Sequence, residues 1–260
     1  AKHLQLMDAI DYKKPEFIHL PMILGTDGSR LSKRHGAMNI LEYKDQGFLP
    51  EAMLNYLVRL GWSLGDQEIF NIQEMIDSFD IKNLNKSSAK FDLEKLEWVN
   101  QQHLAGTNNA DLTEFLKQNS SVKNLPSIGI INNFADAYKP RIKNLNELLG
   151  YFDSLYSDEF DVDDTTAKKF LRPEILGPFN DLIEIFNQIE WDVEIIHKSI
   201  SSICEKHSIG FGKIGQPLRV AITGGTESPS IDLTITLLQR EKVIYRLKKA
   251  IEYTKSSIKD

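Results

Sequence analysis

The chain has 260 residues, of which 41% are hydrophobic and 26% charged, as in a folded globular protein and unlike a disordered one. One cysteine, Cys204, excludes an internal disulfide, no apolar run reaches the ~18–20 residues of a membrane span, and the first residues lack a signal-peptide core. We therefore expect a cytoplasmic protein without a membrane partner, and the net charge of −6 argues against a nucleic-acid-binding protein.

In the first sixty residues, glycines and prolines interrupt the sequence, and the apolar residues of this part follow no regular helical or strand spacing. The short apolar run FIHLPMIL, residues 17–24, predicts a buried strand or an extended segment broken at Pro21. The next stretch, GTDGSRLSKRHGAM, has three glycines and four basic side chains and predicts a loop. Pro50 and Gly61 then frame a predicted helix. Its apolar side chains are expected on one face: Met53, Leu54, Leu57 and Leu60.

From residue 71 onward the pattern is almost wholly helical. Asn71 and Glu74 have the spacing of a capping box at a helix start. Tryptophans 62, 98 and 191 each lie beside an apolar stripe and are expected in the core. The last helix is expected to bury one stripe: Val243, Leu247, Ala250 and Ile251. It is expected to expose its basic side chains: Lys242, Arg246, Lys248 and Lys249.

The charge is distributed unevenly along the chain. Residues 150–200 carry 4 basic and 12 acidic side chains, whereas residues 201–260 carry 10 basic and 6 acidic ones. Solvated helix faces would explain this asymmetry, and so would a cationic surface for a polyanion. The overall charge therefore does not exclude an RNA partner.

The basic loop has the composition of a polyphosphate site. Glycines allow close approach of the backbone, and lysine and arginine neutralise phosphate oxygens. A Walker A loop is excluded because Gly-Lys-Ser/Thr is absent, and GxGxxG is absent as well. A mobile, solvent-exposed basic turn would explain the same composition.

The exact sequence of the basic loop also resembles a known motif. The run Arg30-Leu31-Ser32-Lys33-Arg34 resembles the KMSKS signature of class I aminoacyl-tRNA synthetases, in its KLSKR form. The segment around it, HLPMILGTDGSRLSKRHGA, is similar to bacterial glutamyl-tRNA synthetases. Three later segments are similar to that family in the same order: YLVRLGWSLGDQEIF, AKFDLEKLEWVNQQHL and KIGQPLRVAITGGTESPSIDLT. The resemblance thus extends over essentially the whole chain.

The resemblance implies a mainly α protein: the C-terminal edge of a class I Rossmann-type catalytic domain, followed by an all-helical stem-contact and anticodon-binding region. Residues 1–70 would end the nucleotide-binding fold and begin the stem-contact part. Residues 71–145 would form the helical stem-contact and first anticodon-binding part, and residues 146–260 the C-terminal anticodon-binding domain. Glutaminyl-tRNA synthetases use β-barrels there, and no Val/Thr-rich strand pattern follows residue 150.

Site residues follow from the same resemblance. Lys33 would be the catalytic residue, stabilising the charge that develops as pyrophosphate leaves ATP. Ser32 would shape the loop, and Arg30 stands where the signature has its first lysine. The implied ATP-binding loop comprises Arg30, Leu31, Ser32, Lys33 and Arg34. The full enzyme would use ATP with Mg²⁺. No histidines pair at metal-ligand spacing, so we expect no zinc or other metal site in this chain.

Four basic residues are candidates for contacts with tRNA. They belong to the cationic C-terminal part and to the KPRIKNL segment: Arg141, Lys213, Arg219 and Arg246. An ordinary surface arginine would explain Arg141 equally well. The glycines at 224 and 225, followed by Ser228 and Pro229, predict a turn before a helix, which would be structural or would bind an anion.

The implied function of the full enzyme is activation of L-glutamate with ATP to glutamyl-adenylate, then transfer to the 3′ end of tRNA-Glu, and of tRNA-Gln in some family members. The enzyme would be a cytoplasmic monomer. No HIGH-type motif occurs in these residues, so we expect this chain alone not to form the adenylate. Two alternatives stay open: a non-catalytic RNA-binding or regulatory module derived from the synthetase body, and an unrelated helical scaffold with a coincidental loop.

Overall fold

A computed structural model of the chain describes residues 2–32, 39–158 and 162–257. That part of the chain is mostly helical, with isolated β-bridges and no β-strand, so the prediction of a mainly α protein is confirmed. The chain divides into two compact units, Ala1–Asn100 and Gln101–Asp260. The predicted boundaries after residues 70 and 145 stay predictions.

Five of the described helices begin before the division at Asn100, and the last of them crosses it. They are α1 (Lys2–Ala9), α2 (Ile40–Asp45), α3 (Pro50–Gly61), α4 (Ile72–Ser78) and α5 (Leu93–Gly106). The helices of the second unit are α6 (Asn109–Asn119), α7 (Ile128–Tyr138), α8 (Leu145–Tyr156), α9 (Asp164–Phe170), α10 (Leu176–Phe186), α11 (Val193–Lys206), α12 (Phe211–Thr223), α13 (Ile231–Thr236) and α14 (Arg240–Ser257). Among the described residues, none of these helices is long and apolar enough to cross a membrane.

The core of the first unit joins α2 and α3 to the start of α5. Its buried members are Tyr43, Phe48, Ala52, Met53, Tyr56, Phe91, Leu96 and Val99. The fully buried Asn55 supports this core, because its Nδ2 donates to the carbonyl of Glu68 (2.9 Å) and its Oδ1 accepts from the Phe70 N–H (2.9 Å). A buried amide with both ends bonded fixes the returning segment against α3.

Several local predictions for these helices are confirmed. Pro50 and Gly61 bound α3, as expected from proline's preference for the first turn. Asn71 and Glu74 form both hydrogen bonds of a capping box at α4.

Two burial predictions in the first unit are wrong, and the apolar face of α3 is only partly covered. Residues 17–24 are largely exposed, because no strand among the described residues pairs with them and only Leu24 forms bridges. On α3, Met53 is buried in the core, whereas Leu54 and Leu57 are 49% and 42% exposed. Trp98 is 38% exposed, and the Lys95 ammonium lies 3.9 Å from its ring centroid.

The second unit is built around α12, which is buried along most of its length. It contacts five other helices: α8, α9, α11, α13 and α14. It ends at Gly224, whose φ of 78° is a left-handed conformation that glycine adopts without strain. The chain therefore turns sharply after α12, and the next few residues return along that helix.

Candidate nucleic-acid interface

The structure brings two of the predicted tRNA contacts together. Arg141, exposed just after α7, and Arg219, half-buried on α12, border one cavity of about 580 Å³ in the second unit. The other walls are Tyr138, Tyr151 and the turn of residues 226–230. The two guanidinium groups make this cavity suited to an anion or to acceptor groups.

Hydrogen bonds orient the Arg219 side chain. Its Nε donates to Ser228 Oγ (2.8 Å), its Nη1 to Gln216 Oε1 (2.8 Å) and its Nη2 to the carbonyl of Pro229 (3.3 Å). Gln216 in turn donates from Nε2 to the carbonyl of Thr226 (3.0 Å). A guanidinium has five N–H donors, and these three bonds use three of them to hold the group at the wall of the cavity.

Two tyrosines, Tyr138 and Tyr151, also line the cavity. The rings of Tyr138 and Tyr151 lie 5.2 Å apart, and burial raises the pKa of both hydroxyls. The nearby carboxylates of Glu227 and Glu147 raise the pKa of Tyr151 further. Both hydroxyls therefore stay neutral at physiological pH and can donate as well as accept hydrogen bonds.

Two further cavities continue the first one. A cavity of about 360 Å³ shares Tyr138, Tyr151 and Glu227 with it and extends to the Gly224 turn. A cavity of about 300 Å³ shares Arg219 and Ser230 with it and extends to α11. We call the three together the second-unit groove. Its cavities share lining residues, and they combine the polar groups around Arg141 and Arg219 with largely apolar walls on either side.

The other two predicted tRNA contacts lie outside this groove. Lys213 is exposed on α12 but does not line any of the three cavities. Arg246 is fully buried, so the prediction that α14 exposes it is wrong. Its guanidinium donates to the carbonyl oxygens of Ile222, Leu155 (2.9 Å) and Ser157 (3.4 Å). Burial lowers its pKa to about 10, which still leaves the group charged at neutral pH.

The turn after α12 is structural. Thr223 Oγ1 bonds to both the N–H and the carbonyl of Gly225, and Ser228 bonds to Arg219 and Thr234. The following helix, α13, has six residues, which is too short for an N-terminal anion site. The turn therefore contributes to the groove as the support of Arg219.

The KLSKR-type loop belongs to the first unit. Lys33 and Arg34 lie outside the described residues, whereas Arg30, Leu31 and Ser32 lie within them. Arg30 is exposed and pairs with Leu24 in an antiparallel bridge, and Leu24 also bridges to Lys90. Leu31 packs on the core, and its N–H donates to the carbonyl of Ile23 (3.1 Å). The start of the loop is therefore anchored to the body of the unit.

Several groove residues were not predicted from the sequence, among them Gln216, Tyr151 and Glu227. Gln216 had a usable signal, because it lies one helical turn before Arg219 on α12. The others had none, since they reach the groove only through packing between helices. Among the described residues, no group of three His, Cys, Asp or Glu side chains could hold a metal ion.

Two family models match the chain. The model described as "Anticodon binding domain" matches residues 93–251, which include the whole second-unit groove. The model described as "tRNA synthetases class I (E and Q), catalytic domain" matches residues 1–98. The predicted order, a catalytic edge followed by a helical anticodon-binding region, is confirmed.

Individual relatives agree with the family models. Glutamate–tRNA ligases of Francisella tularensis subsp. novicida and Legionella pneumophila are 40% and 41% identical to this chain over 96% of its length. A crystal structure of a glutamate tRNA ligase from Elizabethkingia meningosepticum matches 96% of the chain with a TM-score of 0.82 and 29% identity. The chain spans about half the length of these relatives, 54–55%. It belongs to the class I glutamyl-tRNA synthetase family and carries the anticodon-binding domain of that family.

Proposed function

We propose that this chain is the tRNA-binding part of a glutamate–tRNA ligase. The whole enzyme activates L-glutamate with ATP and passes the glutamyl group to the 3′ end of tRNA-Glu. The observation that carries the proposal is the cavity between Arg141 and Arg219, which lies inside the region that matches the anticodon-binding domain. The lone, buried Cys204 suits a reducing compartment, so we propose the cytoplasm, and the family resemblance favours a monomer.

The groove has the chemistry to bind single-stranded RNA. Unpaired bases are recognised by hydrogen bonds to their edges, by stacking on aromatic rings and by arginine. Arg219 offers positioned donors, Tyr151 offers a neutral hydroxyl, and Glu227 offers an acceptor for amino groups of a base. In our proposal an anticodon base enters this cavity and its phosphate meets Arg141.

The KLSKR-type loop suits the phosphates of ATP. We propose that the Lys33 ammonium stabilises the negative charge that grows on the departing pyrophosphate, and that Arg30 and Ser32 bind phosphate oxygens. Their donor groups, a guanidinium and a hydroxyl, fit a polyphosphate. Mg²⁺, when bound with ATP, supplies further charge neutralisation. The anchoring of Arg30 and Leu31 supports this role because it holds the described start of the loop against the body of the unit.

The direct test is glutamylation of tRNA-Glu and tRNA-Gln transcripts by the full-length enzyme. We expect glutamate and ATP to charge tRNA-Glu, and the tRNA-Gln arm measures discrimination between the two. Failure to charge either transcript would overturn the proposal. Tight binding of tRNA-Glu by a full-length protein that charges neither transcript would instead support the alternative, a non-catalytic RNA-binding module.

Arg219→Ala is expected to raise the Kd of this chain for tRNA-Glu by about 10-fold or more, because a well-oriented arginine contact to a base is worth about 1–3 kcal/mol. Arg219→Lys is expected to weaken binding as well, since an ammonium cannot make the three bonds that orient the guanidinium. Fluorescence anisotropy with labelled tRNA measures both effects.

The matched control for Arg219→Ala is Arg172→Ala, which removes an exposed arginine of the same unit that lines none of the three groove cavities. Thermal unfolding of each variant separates loss of contact from loss of fold. Equal Kd values for wild type and Arg219→Ala, with both folded, would contradict the role of the groove.

A further inference from the structure

Two exposed aromatic rings are in contact at the α11 end of the second-unit groove. His197 on α11 and Phe211 at the start of α12 are stacked, with ring centroids 5.5 Å apart and an angle of 28° between the ring planes. Phe211 is 38% exposed, and the side chain of His197 is 54% exposed. Both border the 300 Å³ cavity that Arg219 also borders. The pair is therefore open to solvent at a position continuous with the cationic part of the groove.

The Phe211 ring is held against its own helix. Gly215, one turn further along α12, has no side chain, and a Cβ added there would lie 3.3 Å from Phe211 Cε1. That distance is shorter than ordinary van der Waals contact, so a residue with a side chain would push the ring outward. The absence of a side chain at Gly215 thus leaves room for the Phe211 ring beside α12.

A carboxylate orients the His197 ring. Burial raises the pKa of Asp232, but hydrogen bonds from Ser230, the Leu233 N–H and His197 outweigh burial and hold that pKa below its ordinary value. The carboxylate is therefore ionised at neutral pH and can only accept, so His197 Nδ1, 3.1 Å from Asp232 Oδ2, carries the hydrogen and donates it. The two rings are thus supported independently, one by a glycine and the other by a carboxylate.

Flat, exposed and pre-oriented rings are the features on which unpaired bases stack. The neighbouring charge favours a nucleic acid over an apolar partner, because Arg219 lies on the wall of the same cavity. Asp232 also lines this cavity, and its Oδ2 is bonded to His197 Nδ1. An RNA strand whose phosphate or base meets Arg219 would thus bring its next base to the rings.

We propose that His197 and Phe211 form a stacking platform for one unpaired base of the bound RNA, next to the nucleotide that meets Arg219. The proposal rests on the proposed function, since it takes tRNA as the ligand. It assigns the residue pair to affinity: the platform accepts any base through its face, and the neighbouring polar groups decide which base is preferred.

The test uses this chain and the anticodon stem-loop of tRNA-Glu, with Kd measured by anisotropy. Phe211→Leu keeps an apolar side chain against Gly215 but removes the flat ring, and we expect Kd to rise about 10-fold. Phe211→Trp retains a flat ring and is expected to restore binding. The matched control is Tyr245→Leu, which removes a 50% exposed aromatic ring of α14 that lines none of the groove cavities.

A second arm identifies the stacked nucleotide. Stem-loops with an abasic site at each unpaired position in turn are titrated against wild type and Phe211→Leu. One abasic position should weaken binding to wild type and should add nothing to the effect of Phe211→Leu, because both changes remove the same stack.

The possible outcomes distinguish failure of the stacking platform from failure of the proposed function. A wild-type chain that binds the stem-loop no better than an unrelated hairpin would overturn the proposed function. Tight wild-type binding that Phe211→Leu leaves unchanged, or a loss that Phe211→Trp does not restore, would overturn the platform alone.

Discussion

Replacing Arg246 with methionine is expected to destabilise the second unit by about 1–3 kcal/mol, the cost of leaving buried hydrogen-bond acceptors without their donor. The Arg246 guanidinium is inaccessible to solvent and donates to carbonyl oxygens of Leu155, Ser157 and Ile222. Methionine has a similar length but no donor, so it would leave buried carbonyl oxygens without their hydrogen bonds. Leu155 belongs to α8 and Ile222 to α12, so the loss would loosen the contact of α14 with two other helices.

Urea unfolding followed by circular dichroism measures this effect on the purified chain. The control is Lys248→Met on the same helix, where the side chain is exposed, and its effect is expected to stay within about 0.5 kcal/mol. An Arg246→Met variant as stable as wild type, but with weakened tRNA binding, would return Arg246 to the role of a surface contact.

The burial of Arg246 could have been predicted from its position in α14, although its residue type suggests exposure. The buried stripe of α14, Val243, Leu247, Ala250 and Ile251, is confirmed from helical periodicity alone. Arg246 lies three residues after Val243 and four before Ala250, so it falls on the same stripe. Residue type alone favours the solvent face, because arginine is rarely buried without a partner. Its partners are carbonyl oxygens outside α14. The sequence pattern of α14 does not predict them.

Features that depend on neighbouring residues, such as helix caps and helix ends, could be predicted from the sequence. Contacts between segments that are distant in the sequence could not. The capping box at Asn71 and the frame of α3 depend on residues within one or two turns, and both are confirmed. The groove instead depends on how α7, α8 and α12 pack, which brings Arg141, Tyr151 and Arg219 to one cavity. The sequence supplied the two arginines as separate candidates, without their shared location or the hydrogen bonds that orient Arg219.

Burial was hardest to predict where an apolar pattern has no partner within the described chain. FIHLPMIL reads as a buried strand, yet Phe17, Ile18 and Leu20 are each more than half exposed. A strand is buried only when neighbouring strands or helices cover it, and hydropathy cannot report whether they do. The same limit applies to Leu54 and Leu57, which have the helical spacing expected of a buried face.

Replacing Lys33 with alanine in the full-length enzyme is expected to slow glutamate-dependent ATP–pyrophosphate exchange by about 100- to 1,000-fold, the usual cost of removing one positioned group that stabilises transition-state charge. The ammonium acts most strongly on charge that develops during the reaction, so the loss should fall on kcat more than on the KM for ATP. Arg30→Ala should cost less, because Arg30 stands where the signature has its first lysine rather than the catalytic second one.

The binding of tRNA separates a chemical role of Lys33 from a general loss of structure. Lys33→Ala should leave the Kd for tRNA-Glu unchanged, since the second-unit groove contains no part of the loop. Lys44→Ala, which removes an exposed lysine of α2 outside the signature, is the matched control and should leave the exchange rate unchanged. An exchange rate that falls equally in both lysine variants would contradict a specific role of Lys33. A Lys33→Ala enzyme whose only defect is a raised KM for ATP would show that Lys33 binds the nucleotide without stabilising the departing pyrophosphate.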